Sequence, residues 1–76
     1  MEQGRVVVEI IVDREGNVIR GVAGRKVPNS NIGTTTTDQV LWKAAKEAAL
    51  KSKFSPNPNA DSEQKGYIAY NFVKLD

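Results

Sequence analysis

The segment Arg5–Asp13, RVVVEIIVD, limits the folds open to this chain more than any other feature. β-Branched residues dominate it, which is typical of a strand. Its apolar residues occur on both faces, with Val6, Val8, Ile10 and Val12 on one and Val7 and Ile11 on the other. A strand that is apolar on both faces is usually central in its sheet or covered on both sides.

A tight turn is predicted directly after this strand, over Asp13–Asn17 (DREGN). Gly16 can take the left-handed conformation that closes a turn of three to five residues. A calcium loop would need a longer run of alternating acidic ligands and a late Glu, and the sequence has neither. Asp13 and Glu15 are therefore interpreted as turn residues rather than as an acid–base pair.

Val18–Ala23 returns as a second strand and completes a hairpin. Gly21 and Gly24 interrupt it and favour a bulge or an early end. The loop that follows, Arg25–Thr35, is rich in turn-forming residues.

One helix is predicted within TTTTDQVLWKAAKEAALKSKF. Thr36 and Gln39 have the spacing of a capping box, and Asp38 is expected in the first turn. Lys51 and Lys53 are expected in the last turn, where basic residues complement the helix dipole.

The apolar stripe of this helix is expected at Leu41, Ala44, Ala45, Ala48 and Ala49. Its alanines would allow a close approach to the sheet, with Trp42 at the border of the stripe. Leu50 lies off the stripe and is expected under the following loop. Basic residues such as Lys43 and Lys46 alternate with Glu47, which favours a solvated face over a nucleic-acid site.

A third strand closes the chain after Gly66, because Pro56 and Pro58 end the helix and a polar loop follows. Its side chains alternate between two faces, with Ile68, Tyr70 and Phe72 on one and Tyr67, Ala69, Asn71 and Val73 on the other. The sequence thus predicts one α+β domain over residues 1–76, with element order β-β-α-β. Since the first strand belongs in the middle, the three-stranded antiparallel sheet should have the order 2-1-3, with the helix packed on one face.

The third strand is therefore expected at an edge of the sheet, where its free N–H and C=O groups can accept another strand. No charge, proline or bulge protects it from Tyr67 to Val73, and Lys74 comes late. The candidate partner-binding residues are Gly66, Tyr67, Ile68, Ala69, Tyr70, Asn71, Phe72 and Val73. Two interpretations are open: an extended peptide adds to this edge, or another part of a longer chain covers it.

Composition narrows the classes of function. The chain has 76 residues and a net charge of +2, too weakly basic for a dedicated nucleic-acid binder. It lacks Cys and His, and with them the usual zinc ligands and the commonest general base. No signal peptide and no transmembrane stretch are visible. No enzymatic activity and no cofactor are expected.

Three segments, in this order, resemble the TonB C-terminal domain family. GRVVVEIIVDREGNV is similar to its first hairpin, and LWKAAKEAALKSKFSPNPNA to its helix with a basic, aromatic and proline-containing end. GYIAYNFVKL is similar to its last strand. The loop Gly24–Thr37, with four consecutive threonines, is longer than is usual in that family.

The resemblance implies a periplasmic domain of a longer, inner-membrane-anchored protein of a Gram-negative bacterium. Such a domain binds the TonB-box peptide of outer-membrane transporters along its last strand and passes on force from a proton-driven inner-membrane complex. The same domain is also appended to membrane sensors and peptidase-like proteins. Two further hypotheses are a homodimer formed through the free edge and, less favoured, a small nucleic-acid-binding domain.

Overall fold

A computed structural model describes residues 4–73. It contains β1 (Gly4–Val12), β2 (Val18–Ala23), α1 (Gln39–Lys51) and β3 (Gln64–Phe72). The strands form one antiparallel sheet with the order β2-β1-β3, and α1 packs on one face. The predicted α+β fold is confirmed, including the central position of the first strand.

The core lies between the sheet and α1. Val6, Val8 and Ile10 of β1 are buried against Leu41, Ala45 and Ala49 of α1. Val7 is also fully buried but does not belong to this cluster. The burial of both faces in the first half of β1 explains why its sequence is apolar at consecutive positions.

The hairpin turn is held by Asp13. Its backbone N–H donates to the Asn17 carbonyl at 2.9 Å, and its side-chain Oδ1 accepts from the Asn17 N–H at 2.8 Å. Gly16 has a φ of 86°, and a Cβ there would lie 1.9 Å from the Phe54 carbonyl oxygen. The predicted turn is confirmed, and Gly16 is needed both for the backbone conformation and for this close approach.

β2 ends before Gly24, which has a φ of 82°. The irregularity of the hairpin lies at Ile19, because Ile11 pairs with Arg20 and the next residue, Val12, pairs with Val18. Of the two effects expected of the glycines, the early end occurs at Gly24, whereas Gly21 causes no bulge and pairs regularly with Ile10. A Cβ on Gly21 would lie 3.5 Å from the Leu50 side chain, at ordinary van der Waals distance, so α1 packs closely on β2 at this position.

The predicted capping box at the start of α1 is wrong. Asp38 is the N-cap and accepts a hydrogen bond from the Val40 N–H at 2.9 Å. The Thr36 hydroxyl instead accepts from the Asp38 N–H at 3.1 Å, in a local turn before the helix. Asp and Thr both cap helices well, and here the residue nearer the first turn does so.

The buried stripe of α1 is narrower than predicted. Leu41, Ala45 and Ala49 are buried, whereas Ala44 and Ala48 are exposed. The helix packs mainly on β2 and β1 and barely reaches β3, so only a thin strip of it is covered. α1 ends at Lys51, which leaves Lys53 outside the last turn. Leu50 is 40% exposed and lies against Gly21 of β2.

The threonine-rich loop runs beside the first half of β1, beyond the end of β2. The hydroxyl of Thr34 accepts from the Val7 N–H at 3.0 Å, and that of Thr35 accepts from the Arg5 N–H at 2.8 Å. The Thr35 N–H and the Arg25 N–H donate to the carbonyls of Arg5 and Val7. Two threonine hydroxyls thus take the place of strand carbonyls and satisfy the main chain of β1.

Trp42 ties α1 to this loop. Its indole N–H donates to the Thr36 carbonyl at 2.6 Å, and its ring lies over Gly24. The ring is partly buried and packs against the core, as expected for a residue at the border of the stripe.

Candidate functional site

The candidate site is β3, an outer strand of the sheet. All nine of its residues pair with β1 without a bulge, from Gln64 opposite Val12 to Phe72 opposite Gly4. Within residues 4–73, no strand pairs with its other side. The predicted site residues Gly66 to Phe72 lie in β3, and Val73 follows directly after it.

The direction of the main-chain groups of β3 follows from the hydrogen bonds of β1. Arg5 and Val7 direct their N–H and C=O groups away from β3, toward the threonine-rich loop. Since these directions alternate along a strand, the even-numbered residues of β1 face β3. Their partners in β3 are also even-numbered. The residues of β3 that present free N–H and C=O groups outward are therefore Lys65, Tyr67, Ala69 and Asn71.

The two faces of β3 differ in cover. Ile68, Tyr70 and Phe72 are partly buried and pack against the core on the helix side. Ala69 and Asn71, on the opposite open face, are exposed. A strand added to β3 would thus meet an apolar row on one face and a polar row on the other.

One charged residue protects this edge, and the sequence-based bounds missed it. β3 begins at Gln64, two residues before Gly66, and so includes Lys65. The Lys65 ammonium lies 3.9 Å from a Glu9 carboxylate oxygen on the open face. The charge stands at the start of β3, and seven residues of the strand follow it without a charge or a proline.

A polar cluster around Glu9 lies on the open face, next to the edge strand. Arg25 contacts its Oε2 through two nitrogens at 3.1 Å each, and the Tyr67 hydroxyl lies 3.5 Å from the same oxygen. The Glu9 side chain is 15% exposed. The sequence analysis did not identify Glu9 as a site residue. A carboxylate within an apolar strand nevertheless indicates that charged or polar partners lie nearby in the fold.

A cavity of about 240 Å³ lies at the start of β3. One side is formed by Ile10 and Val12 of β1 with Gly66 and Ile68 of β3, and the other by the loop after α1, including Phe54. That loop is held on the hairpin turn, since the Phe54 N–H donates to the Gly16 carbonyl and Arg14 donates to the Ala60 carbonyl. The cavity is therefore bounded by an anchored loop.

Residues 4–73 contain no cluster of three acidic side chains that could hold a metal ion. The four lysines of the helix region, Lys43, Lys46, Lys51 and Lys53, are exposed. Among the described residues, α1 is the one helix, and its 13 residues are fewer than a membrane span requires.

Comparison of the chain with models of known protein families, with curated proteins and with solved structures finds no match. The resemblance to TonB C-terminal domains therefore rests on the residues quoted for it.

Proposed function

We propose that this domain binds an extended peptide segment by strand addition along the free edge of β3. The observation that carries the proposal is the unpaired side of β3, which is long, regular and bare of prolines. Main-chain hydrogen bonds from Lys65, Tyr67, Ala69 and Asn71 would give affinity, and the alternating side chains of the added strand would give selectivity.

We further propose that the domain is the periplasmic coupling domain of a TonB-type energy transducer. In this role it would bind the TonB box of an outer-membrane transporter and transmit force from a proton-driven complex of the inner membrane. The order of elements and the outer position of the last strand support the proposal. It assigns no catalytic group and no cofactor to the chain.

The proposal can be tested by NMR titration of the 15N-labelled 76-residue chain with synthetic peptides. The peptides come from the periplasm-facing N-terminal ends of TonB-dependent transporters of Gram-negative bacteria. We expect the largest amide shifts from Gly66 to Val73. Amides at the odd-numbered positions of β3 should also become protected from hydrogen exchange, because only their N–H groups gain a partner.

Ala69→Pro is the decisive variant, because it removes an outward N–H and leaves the pairing with β1 intact. Its matched control is Ala69→Val, which keeps the N–H and enlarges the side chain on the open face. We expect the proline to abolish binding and the valine to preserve it. Shifts confined to α1, or binding that survives the proline, would place the site elsewhere. If generic extended peptides bind and transporter peptides do not, strand addition stands and the TonB-type role is lost.

A homodimer is the second candidate, because the same edge can pair with another copy of itself. If two β3 strands paired antiparallel about Ala69, Tyr67 would stand opposite Asn71 of the other copy, and no like charges would meet. Sedimentation velocity across a hundredfold range of concentration tests this arrangement. A dimer that dissociates in Ala69→Pro would support it, and a monomer at every concentration would exclude it.

A further inference from the structure

Gly66 leaves a gap in the apolar row of β3. It pairs with Ile10, and a Cβ built on it would point to the helix side, 3.4 Å from the Ile10 side chain. The next residue on the same face, Ile68, is partly buried. The missing side chain at Gly66 opens directly into the cavity of about 240 Å³ between β3 and the loop after α1.

The cavity lies along the start of β3, an outer strand of the sheet. Lys65 and Tyr67 also border it, although their side chains lie on the open face beside Glu9. These two residues flank Gly66, and their main-chain N–H and C=O groups are among those that point outward. A strand lying about 4.8 Å beyond β3 would therefore place a side chain at the mouth of the cavity.

The size of the cavity suits a single side chain. Pockets for drug-sized ligands measure about 300–1,000 Å³. This cavity is smaller, and its lining includes Ile10, Val12, Ile68 and the ring of Phe54. A large aliphatic or aromatic side chain would remove this lining from water, at roughly 25 cal/mol per Å² of apolar surface.

The open face of the sheet, opposite α1, favours an acidic residue in the added strand. Its strand positions include Arg5, Arg20 and Lys65, and the carboxylate among them, Glu9, is shared by Arg25 at 3.1 Å and Lys65 at 3.9 Å, so cations outnumber it. Lys65 is the cation nearest the free edge, with a side chain that is 57% exposed. In an added strand, the neighbours of a residue opposite Gly66 would point to this face, beside Lys65 and Tyr67.

We propose that the segment bound by β3 carries a large apolar residue opposite Gly66, seated in this cavity, and an acidic residue next to it, over Lys65. This inference rests on the proposed strand addition and names the chemistry of the partner. Apolar burial on the helix side would fix the register of the added strand, and the acidic neighbour would select among apolar segments.

The probe is a phage library of random twelve-residue peptides, selected on the immobilised 76-residue chain. We expect enriched peptides to share a large apolar residue adjacent to Asp or Glu. One enriched peptide is then synthesised and its Kd is measured with four variants of the chain. Gly66→Val should weaken binding at least tenfold because its side chain fills the mouth of the cavity, and Lys65→Glu should weaken it several-fold.

Ala48→Val is the control for Gly66→Val, since it places the same side chain at an exposed position of α1, outside β3 and outside the cavity. It should change the Kd less than twofold. Thermal unfolding of each variant verifies that the fold is kept. Gly66→Val is not expected to lower the melting temperature, because valine favours strands and its Cβ fits beside Ile10.

Ala69→Pro separates the two proposals. If the proline abolishes binding but Gly66→Val does not affect it, and no apolar residue is enriched, strand addition stands and the anchored side chain is wrong. If the peptide still binds the proline variant, or if no peptide is enriched, both proposals are overturned.

Discussion

The two outer strands of the sheet are built differently. β2 has six residues, carries a bulge at Ile19, ends at a left-handed glycine and lies under α1. β3 has nine residues in regular register and is barely reached by the helix. Shortness and bulging are ways in which proteins protect an edge from further pairing. One edge of this sheet is thus closed by its own structure, and the other is left able to accept a strand.

The largest expected effect on stability is the difference between a proline at a residue of β3 whose N–H faces β1 and a proline at a residue whose N–H faces outward. Ile68→Pro removes an N–H that faces β1 and leaves a carbonyl of β1 without its donor, at about 1–3 kcal/mol. It also removes a side chain that packs against the core, and truncating a buried isoleucine costs about 2–5 kcal/mol. Ala69→Pro removes an N–H that faces outward and should cost far less. Urea unfolding followed by Trp42 fluorescence measures both. Ile68→Ala corrects for the loss of the side chain, and equal costs for the two prolines would show that the assigned directions are wrong.

Next to β2, Gly24→Ala should lower the free energy of unfolding by more than about 2 kcal/mol. The left-handed backbone alone disfavours alanine by roughly 1–2 kcal/mol. A Cβ would also lie 2.5 Å from the Trp42 ring, which must then move. Thermal unfolding of Gly24→Ala in wild-type and Trp42→Ala backgrounds separates the two causes. A cost that is the same in both backgrounds would remove the contact with Trp42 from the explanation.

Thr34→Val tests the threonine-rich loop, which bonds to β1 beyond the end of β2, on the side of the sheet away from β3. It deprives the Val7 N–H, in a fully buried residue, of its acceptor, so we expect a loss of about 1–2 kcal/mol. Thr35→Val is the matched control, because the Arg5 N–H is more accessible and water can replace the hydroxyl. Chemical unfolding should rank Thr34→Val as the more destabilising change. The reverse order would mean that the hydroxyl at position 34 is dispensable.

The smallest effect is a gain. Gly21→Ala places a Cβ at ordinary contact distance from Leu50 and Val8, without a positive φ. We expect stabilisation by about 0.4–1 kcal/mol, chiefly because alanine restricts the unfolded chain. A shift of the melting temperature upward would confirm this, and a downward shift would show that Leu50 packs too tightly on β2 for any side chain to fit.

The strand order was predictable because β1 alone is apolar on both faces, a property visible in consecutive residues. The N-cap was not, because Thr36 and Asp38 both suit that position and the choice depends on where the loop places each of them. Burial at Ala44 and Ala48 was mispredicted because periodicity gives the direction of a stripe but not the lateral position of the helix on the sheet. The hydroxyls of Thr34 and Thr35 accept hydrogen bonds from β1 where a neighbouring strand would otherwise do so. No local sequence pattern indicates such bonds.

The outline of the candidate site was also visible in the alternation from Gly66 to Val73. The cavity was not, since it depends on the loop after α1 folding back onto the hairpin turn, where Phe54 bonds to Gly16, 38 residues earlier in the sequence. Glu9 stood in the sequence as a lone carboxylate among valines and isoleucines. Its partners are Arg25, in the loop after β2, and Lys65, in β3. Both are distant in sequence and approach Glu9 only in the folded chain.

Gly4 and Phe72 stand opposite each other in the sheet. The first and last described elements therefore begin and finish at one end of the molecule, about 5 Å apart across the ladder. A domain with this geometry can be inserted into a surface loop of another protein without moving the two ends of that loop apart. By the same reasoning, a short bridge from Val73 to Gly4 should allow new ends to be opened in the polar segment after α1, giving a circularly permuted chain with the same sheet.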